Sequence, residues 1–183
     1  TAPPGSEVAP LNAPGPKGVG QKGQPAQPGQ EAHGGAIAGT FSPQDKQFVE
    51  QAALDNMFEV KLGQLALEKA QSKTVRDYAS RMVKDHSSSM ASLSKIAQKQ
   101  GVELPTKIAD EQQSIYDRLS QLSGKEFDTA YMDQVSQDHQ SAMSLFQRES
   151  EETQDKDLRG YAKSTLSTLH KHQDMAKRDV KKL

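Results

Sequence analysis

The chain has 183 residues, a formal net charge of −1 and no cysteine. Near-neutrality argues against the clustered basic surface that binding to nucleic-acid phosphates requires, and the missing thiol excludes disulfides, thiolate metal sites and cysteine nucleophiles. No apolar run approaches the roughly 20 residues that a membrane-spanning helix needs.

Residues 1–40 hold seven of the nine prolines, nine of the thirteen glycines and no aromatic residue. Such a stretch cannot bury enough apolar surface to offset its chain entropy and reads as a disordered tether. Its charges, Glu7, Lys17, Lys22 and Glu31, cancel. The chain opens at Thr1 rather than at a methionine, which fits a mature protein whose signal peptide has been removed. Residues 41–183 are the size of one domain with one core.

From Ser42 onward the sequence reads as helix. Ser42-Pro43-Gln44-Asp45 supplies a cap, a proline at the first helical position and an acid three residues after the cap. The first helix then runs to about Ala70, with Phe48, Ala52, Asp55, Glu59, Leu62 and Ala66 on one stripe. A turn at 71–73 opens a second helix that ends at Gly101, its stripe being Val75, Ala79, Met82, His86, Leu93 and Ala97. A shorter segment from Pro105-Thr106 to Leu122 places Ile108, Ile115, Leu119 and Leu122 on one face. Ser123-x-x-Glu126 reads as a second capping box, launching a helix to about Ser150 with Phe127 or Asp128, Met132, Val135, His139, Ala142 and Phe146 inward. The last helix, about Asp155 to Lys181, carries Leu158, Ala162, Thr165, Leu169, His172 and Ala176. No segment alternates as a strand would. The expectation is all-α: an up-down four-helix bundle with a short crossover helix between helices two and three.

Three of the five histidines, His86, His139 and His172, fall on apolar stripes of three different helices, and Glu59 takes the equivalent place on a fourth. At ~1.5 Å per residue all four sit in the middle third of the bundle, where inward side chains build cofactor sites. Neutral imidazoles with one carboxylate suit one divalent transition metal, with zinc, copper or nickel favoured over iron. Asp55, one turn from Glu59, is a candidate extra ligand, and Met82, one turn before His86, is a soft donor suited to copper. Asp85 and Asp138 each precede a stripe histidine and so point about 100° away, toward solvent or toward the outer nitrogen of an imidazole. His33 and His170 read as exposed and uninvolved.

The runs Phe48-Val49-Glu50-Gln51-Ala52-Ala53, Glu59-Val60, Gly63-Gln64-Leu65-Ala66, Met82-Val83-Lys84-Asp85-His86, Gly101-Val102-Glu103-Leu104-Pro105, Phe127-Asp128-x-x-Tyr131 and Thr168-Leu169-x-x-His172 occur in this order. Together, over about Phe41 to Val180, they resemble an uncharacterised bacterial family often labelled "predicted outer membrane protein" and grouped with the ferritin-like bundles. The resemblance implies a ferritin-like bundle, usually exported, with no established reaction. Its recurring helix acid and histidines match Glu59, His86, His139 and His172; His170 stands where that family does not usually have histidine. Di-iron bundles use Glu-x-x-His pairs on two helices, and no glutamate stands three residues before any of the three histidines here. A di-iron centre therefore lacks its carboxylates.

Each residue also has a plainer reading. A lone histidine on a helix stripe is usually a core residue satisfied by a hydrogen bond, and Glu59 can pair with an imidazole without any metal. Most of the scattered methionines read as core filling. No phosphate-binding glycine loop, nucleophile elbow or His-Glu-x-x-His pair is present, so the sequence leans away from an enzyme. Two function classes remain: an exported bundle that holds, senses or buffers one metal ion, and an inert interaction module of the cell envelope. A weaker third is a pH-responsive bundle built on buried neutral histidines.

Overall fold

The computed structural model describes residues 41–183. Among them are five helices and no strand: α1 (Pro43–Lys69), α2 (Lys73–Lys99), α3 (Asp110–Ser120), α4 (Gly124–Glu152) and α5 (Lys156–Val180). The Pro/Gly-rich segment 1–40, expected to be a tether, lies outside the described residues.

Local chemistry sets the helix ends. Ser42 Oγ accepts from the Asp45 amide at 3.0 Å and the Asp45 carboxylate accepts from the Ser42 amide at 2.8 Å, the reciprocal box that the sequence predicts. The start of α2 is capped from another helix: the Gln71 and Ser72 amides donate to the Asp128 carboxylate of α4 at 3.1 and 2.7 Å. Gly101, at φ 65°, ends α2, with the Val102 amide returning to the Ala97 carbonyl at 3.0 Å. Asp155 caps α5 by accepting from the Leu158 amide at 2.8 Å.

One boundary and one cap depart from expectation. The short third helix starts at Asp110, not at Thr106, because the side chain that closes its first turn is Gln112, which accepts from the Ala109 amide at 3.1 Å. At the head of α4 the Ser123 side chain makes no capping bond. Gly124 there takes φ 58°, outside the right-handed region that a capping box needs at the residue after the cap, so the Ser123–Glu126 box does not form.

The chain folds as two helix pairs. α1 packs along α2, joined by residues 70–72, and α4 packs along α5, joined by residues 153–155; α1 also meets α4, and α2 meets α5. The short α3 touches α1 and α4. Apolar burial is divided in two. One cluster gathers Phe58, Leu62, Met82, Tyr131, Val135 and Ala176, and the other Phe48, Ala52, Leu93, Phe146, Leu158 and Leu169. On every long helix the first cluster gives way to the second around one polar position: Asn56 on α1, His86 on α2, His139 on α4 and His172 on α5, all buried. A polar layer thus crosses the waist of the molecule.

Candidate metal centre

The sequence places the three histidines on stripes; the structure brings them together. One ring nitrogen from each of His86, His139 and His172 lies within 4.8 Å of the others. His139 Nε2 is 3.4 Å from His86 Nε2 and 3.3 Å from His172 Nδ1. Ring centroids are 5.2–5.6 Å apart, and the rings are tilted or edge-on to one another rather than stacked.

The outer nitrogen of each ring fixes the proton. His139 Nδ1 is 2.5 Å from the Val135 carbonyl, which can only accept, so that nitrogen donates. His172 Nε2 donates to the Asp85 carboxylate at 3.0 Å. His86 Nδ1 is 3.0 Å from Asn56 Oδ1; the Asn56 amide nitrogen donates to the Ala52 carbonyl at 2.7 Å, which turns its oxygen toward the imidazole. Every outer nitrogen therefore carries the hydrogen of a neutral ring, and the three inner nitrogens present lone pairs to one another.

Electrostatics keep the rings neutral. Burial, reinforced by the neighbouring imidazoles, pushes His86 well below the usual histidine range. Burial and His172 bring His139 down to about 4 against the opposing pull of the Val135 carbonyl. Burial also lowers His172, although Asp85 works the other way. For Asp85 partial burial pushes upward, but hydrogen bonds from His172 and Arg81 outweigh it and hold the carboxylate low. Asp85 is thus not simply solvated: it orients an imidazole, though on α5 rather than on its own helix.

Glu59 does not join the triangle. It is 3 % exposed, and neither carboxylate oxygen has a hydrogen-bond partner among the described residues. It lines a cavity of about 310 Å³ that also borders His86, His139, Asp55 and Asp138. Burial, then Asp138 and Asp55, push its carboxyl well above the usual carboxylate range. Asp55 and Asp138 are each raised to about 6, mainly by burial. Asp55 accepts hydrogen bonds from Gln51 and Gln112 and stands apart from the histidines' ligand atoms. His170 is exposed, as expected, and His33 lies outside the described residues.

Asn56 is the member of the site that the stripes miss. It follows Asp55, which occupies the stripe traced in steps of four and three, yet Asn56 is the buried residue of the two. The signal was present in a parallel ladder, Ala52, Asn56, Glu59 and Gly63, which keeps the same helical spacing.

No relative matches among curated proteins. Among solved structures, the chain is similar to a crystal structure of a DUF305 fragment from Deinococcus radiodurans, with a TM-score of 0.70 and 17% identity, covering 78% of this chain and 98% of that one. At that identity the likeness speaks for the fold alone. Residues 30–178 match the profile of a family described as a domain of unknown function, DUF4142, and the chain belongs to that family.

Proposed function

We propose that this protein is an exported, ferritin-like four-helix bundle, with α3 as its crossover helix, that holds one transition-metal ion on His86 Nε2, His139 Nε2 and His172 Nδ1. The observation that carries this reading is the meeting of three lone pairs. Three acceptor nitrogens 3.3–3.4 Å apart across two sides, with no hydrogen between them, repel unless a cation sits among them. The spacing suits one: two metal–nitrogen bonds of about 2.0–2.1 Å at a tetrahedral angle separate their nitrogens by roughly 3.3 Å. Outer hydrogen bonds to a carboxylate, a carbonyl and an amide oxygen are the usual supports of ligating imidazoles.

Imidazoles without thiolates favour zinc, copper or nickel. Glu59 belongs to this site as the buried carboxyl of the adjoining cavity, with Asp55 one turn behind it. A di-iron oxidase is disfavoured, since no carboxylate bridges the histidines. On the metal reading the role is to hold, buffer or sense a single ion; the alternative is a non-metal interaction module of the cell envelope. A place in the periplasm, at the outer membrane or outside the cell follows the family resemblance and the Pro/Gly-rich N-terminal segment.

The test is calorimetric titration of the metal-free, untagged protein with zinc, copper and nickel. The expected outcome is one ion per chain at micromolar or tighter affinity, abolished by His86→Ala and unchanged by His170→Ala. Zinc at a hundred times its Kd raises stability by about 2.7 kcal/mol. Absence of binding in the parent, or equal loss in both variants, overturns the reading.

A further inference from the structure

We propose that the cavity between α1, α3 and α4 is a cation-binding vestibule, through which the ion reaches the histidines and in which Glu59 is the carboxylate that receives it. This rests on the metal reading above.

Glu59 is the observation that points to a ligand. A carboxyl group wholly buried without one donor among the described residues is an acceptor lacking its partner, and such groups are rare in folded proteins. Asp138 Oδ2, in the same cavity, is likewise buried without a partner. The remaining acids form a graded path: Glu111 is exposed on α3, Asp55 is half-buried, Glu59 is fully buried, and His86 and His139 border the same space. Among the described residues no lysine or arginine lines it. Walls of low polarity concentrate the field of the outer acids and raise the local concentration of cations, and Glu59 exchanges its proton for the ion that arrives.

The geometry distinguishes passage from a second chelate. Among the described residues the three histidines alone form a group whose ligand atoms lie within 4.8 Å of one another. The carboxylates of the cavity form no such group of three, which suits a hydrated ion handed inward.

The other approach is less suited. A cleft of about 400 Å³ between α2 and α5 reaches His86 and His172, but its lining is largely hydroxyls, Ser88, Ser92 and Ser164 among them. Arg81 places a positive charge there, and the Asp85 carboxylate is already engaged by His172 and Arg81.

Stopped-flow mixing of the full-length, metal-free protein with zinc at low ionic strength tests the proposal. Glu59→Gln, and separately the double variant Asp55→Asn/Glu111→Gln, should slow association at least about tenfold. Both should still reach one zinc per chain at saturation, and added salt should slow the parent more than the double variant. Ser92→Lys, which adds a positive charge to the hydroxyl-lined cleft, should load at the parent rate. Parent-like rates in the carboxylate variants, or slowing by Ser92→Lys alone, overturn the vestibule while leaving the histidine site standing. A parent that takes up no zinc overturns both. If Glu59→Gln fails to fold by circular dichroism, the surface-side double variant decides the matter.

Discussion

An imidazole can present a lone pair inward only while its other nitrogen keeps the proton, so Asn56, Asp85 and the Val135 carbonyl matter as much as the rings they hold. Asn56 is the most easily isolated. Asn56→Ala leaves all three histidines in place but removes the acceptor that assigns the proton to His86 Nδ1, and zinc affinity should weaken about 10–100-fold. Asn56→Asp, which keeps an acceptor, should hold most of that affinity; competition titration against a chelator of known strength reads both. Equal loss in the two variants would mean that Asn56 acts through packing alone. At this scale the histidines were legible because a polar residue on an apolar stripe stands out. Glu59 stood out for the same reason, and its stripe gave its helix and depth but not its partners. Asn56 sat beside an acidic neighbour, and one residue of ambiguity, about 100° around the helix, hid it.

For the helices, the sequence showed number, order and inward faces, while the start of α3 and the cap of α4 turned on local geometry that residue types alone do not specify. Nothing local to the residues before Asp110 announces that the Gln112 side chain will close the first turn, and a serine-x-x-glutamate spacing cannot reveal that Gly124 turns left-handed. α1 is also buried more widely than its one stripe, because α2, α3 and α4 all cover it. Gly63 makes the α1–α2 approach possible. A Cβ there would lie 2.7 Å from Val83 Cγ2 and 3.2 Å from the Ala79 carbonyl oxygen, and the stiff valine cannot withdraw freely. Gly63→Ala should therefore lower stability by about 1–2 kcal/mol in denaturant titration, despite alanine's better helix propensity. An unchanged or raised midpoint would show that the helices separate at little cost. Asp128 carries a different load: its carboxylate satisfies two amides at the head of α2. Asp128→Ala should cost about 1–2 kcal/mol, and Asp128→Asn, which retains one acceptor oxygen, should cost less. A thermal melt in which the two lose equally would place the stabilisation in charge rather than in capping.

Across the whole molecule, two sets of buried groups respond to pH with opposite signs. The histidines, lowered in the folded protein, stay neutral while an unfolded chain takes up protons, so they remove stability as pH falls below about 6.5. Glu149 works in reverse. Buried where α4 ends near the start of α1, and hydrogen-bonded to the Asp45 carboxylate, its carboxyl is raised to about 7, chiefly by burial and then by Asp45. A raised folded value means stabilisation that is fully present below about 4.5 and lost as pH rises through about 7. Glu149→Gln keeps the donor at every pH. Relative to the parent it should be nearly neutral at pH 5 and more stable at pH 8, by on the order of 1–2 kcal/mol. A parent-to-variant difference that does not change between those two pH values would remove Glu149 from the account.

The waist layer draws its donors unequally from the two halves of the chain. His86 comes from the α1–α2 pair, whereas His139 and His172 come from the α4–α5 pair. Neither half owns three nitrogens, so an ion seated on all three would work as a clasp whose closure reports that both halves have come together. Loading would then be a property of the assembled molecule alone, and a chain caught half-built would offer the ion at most two of its three holds.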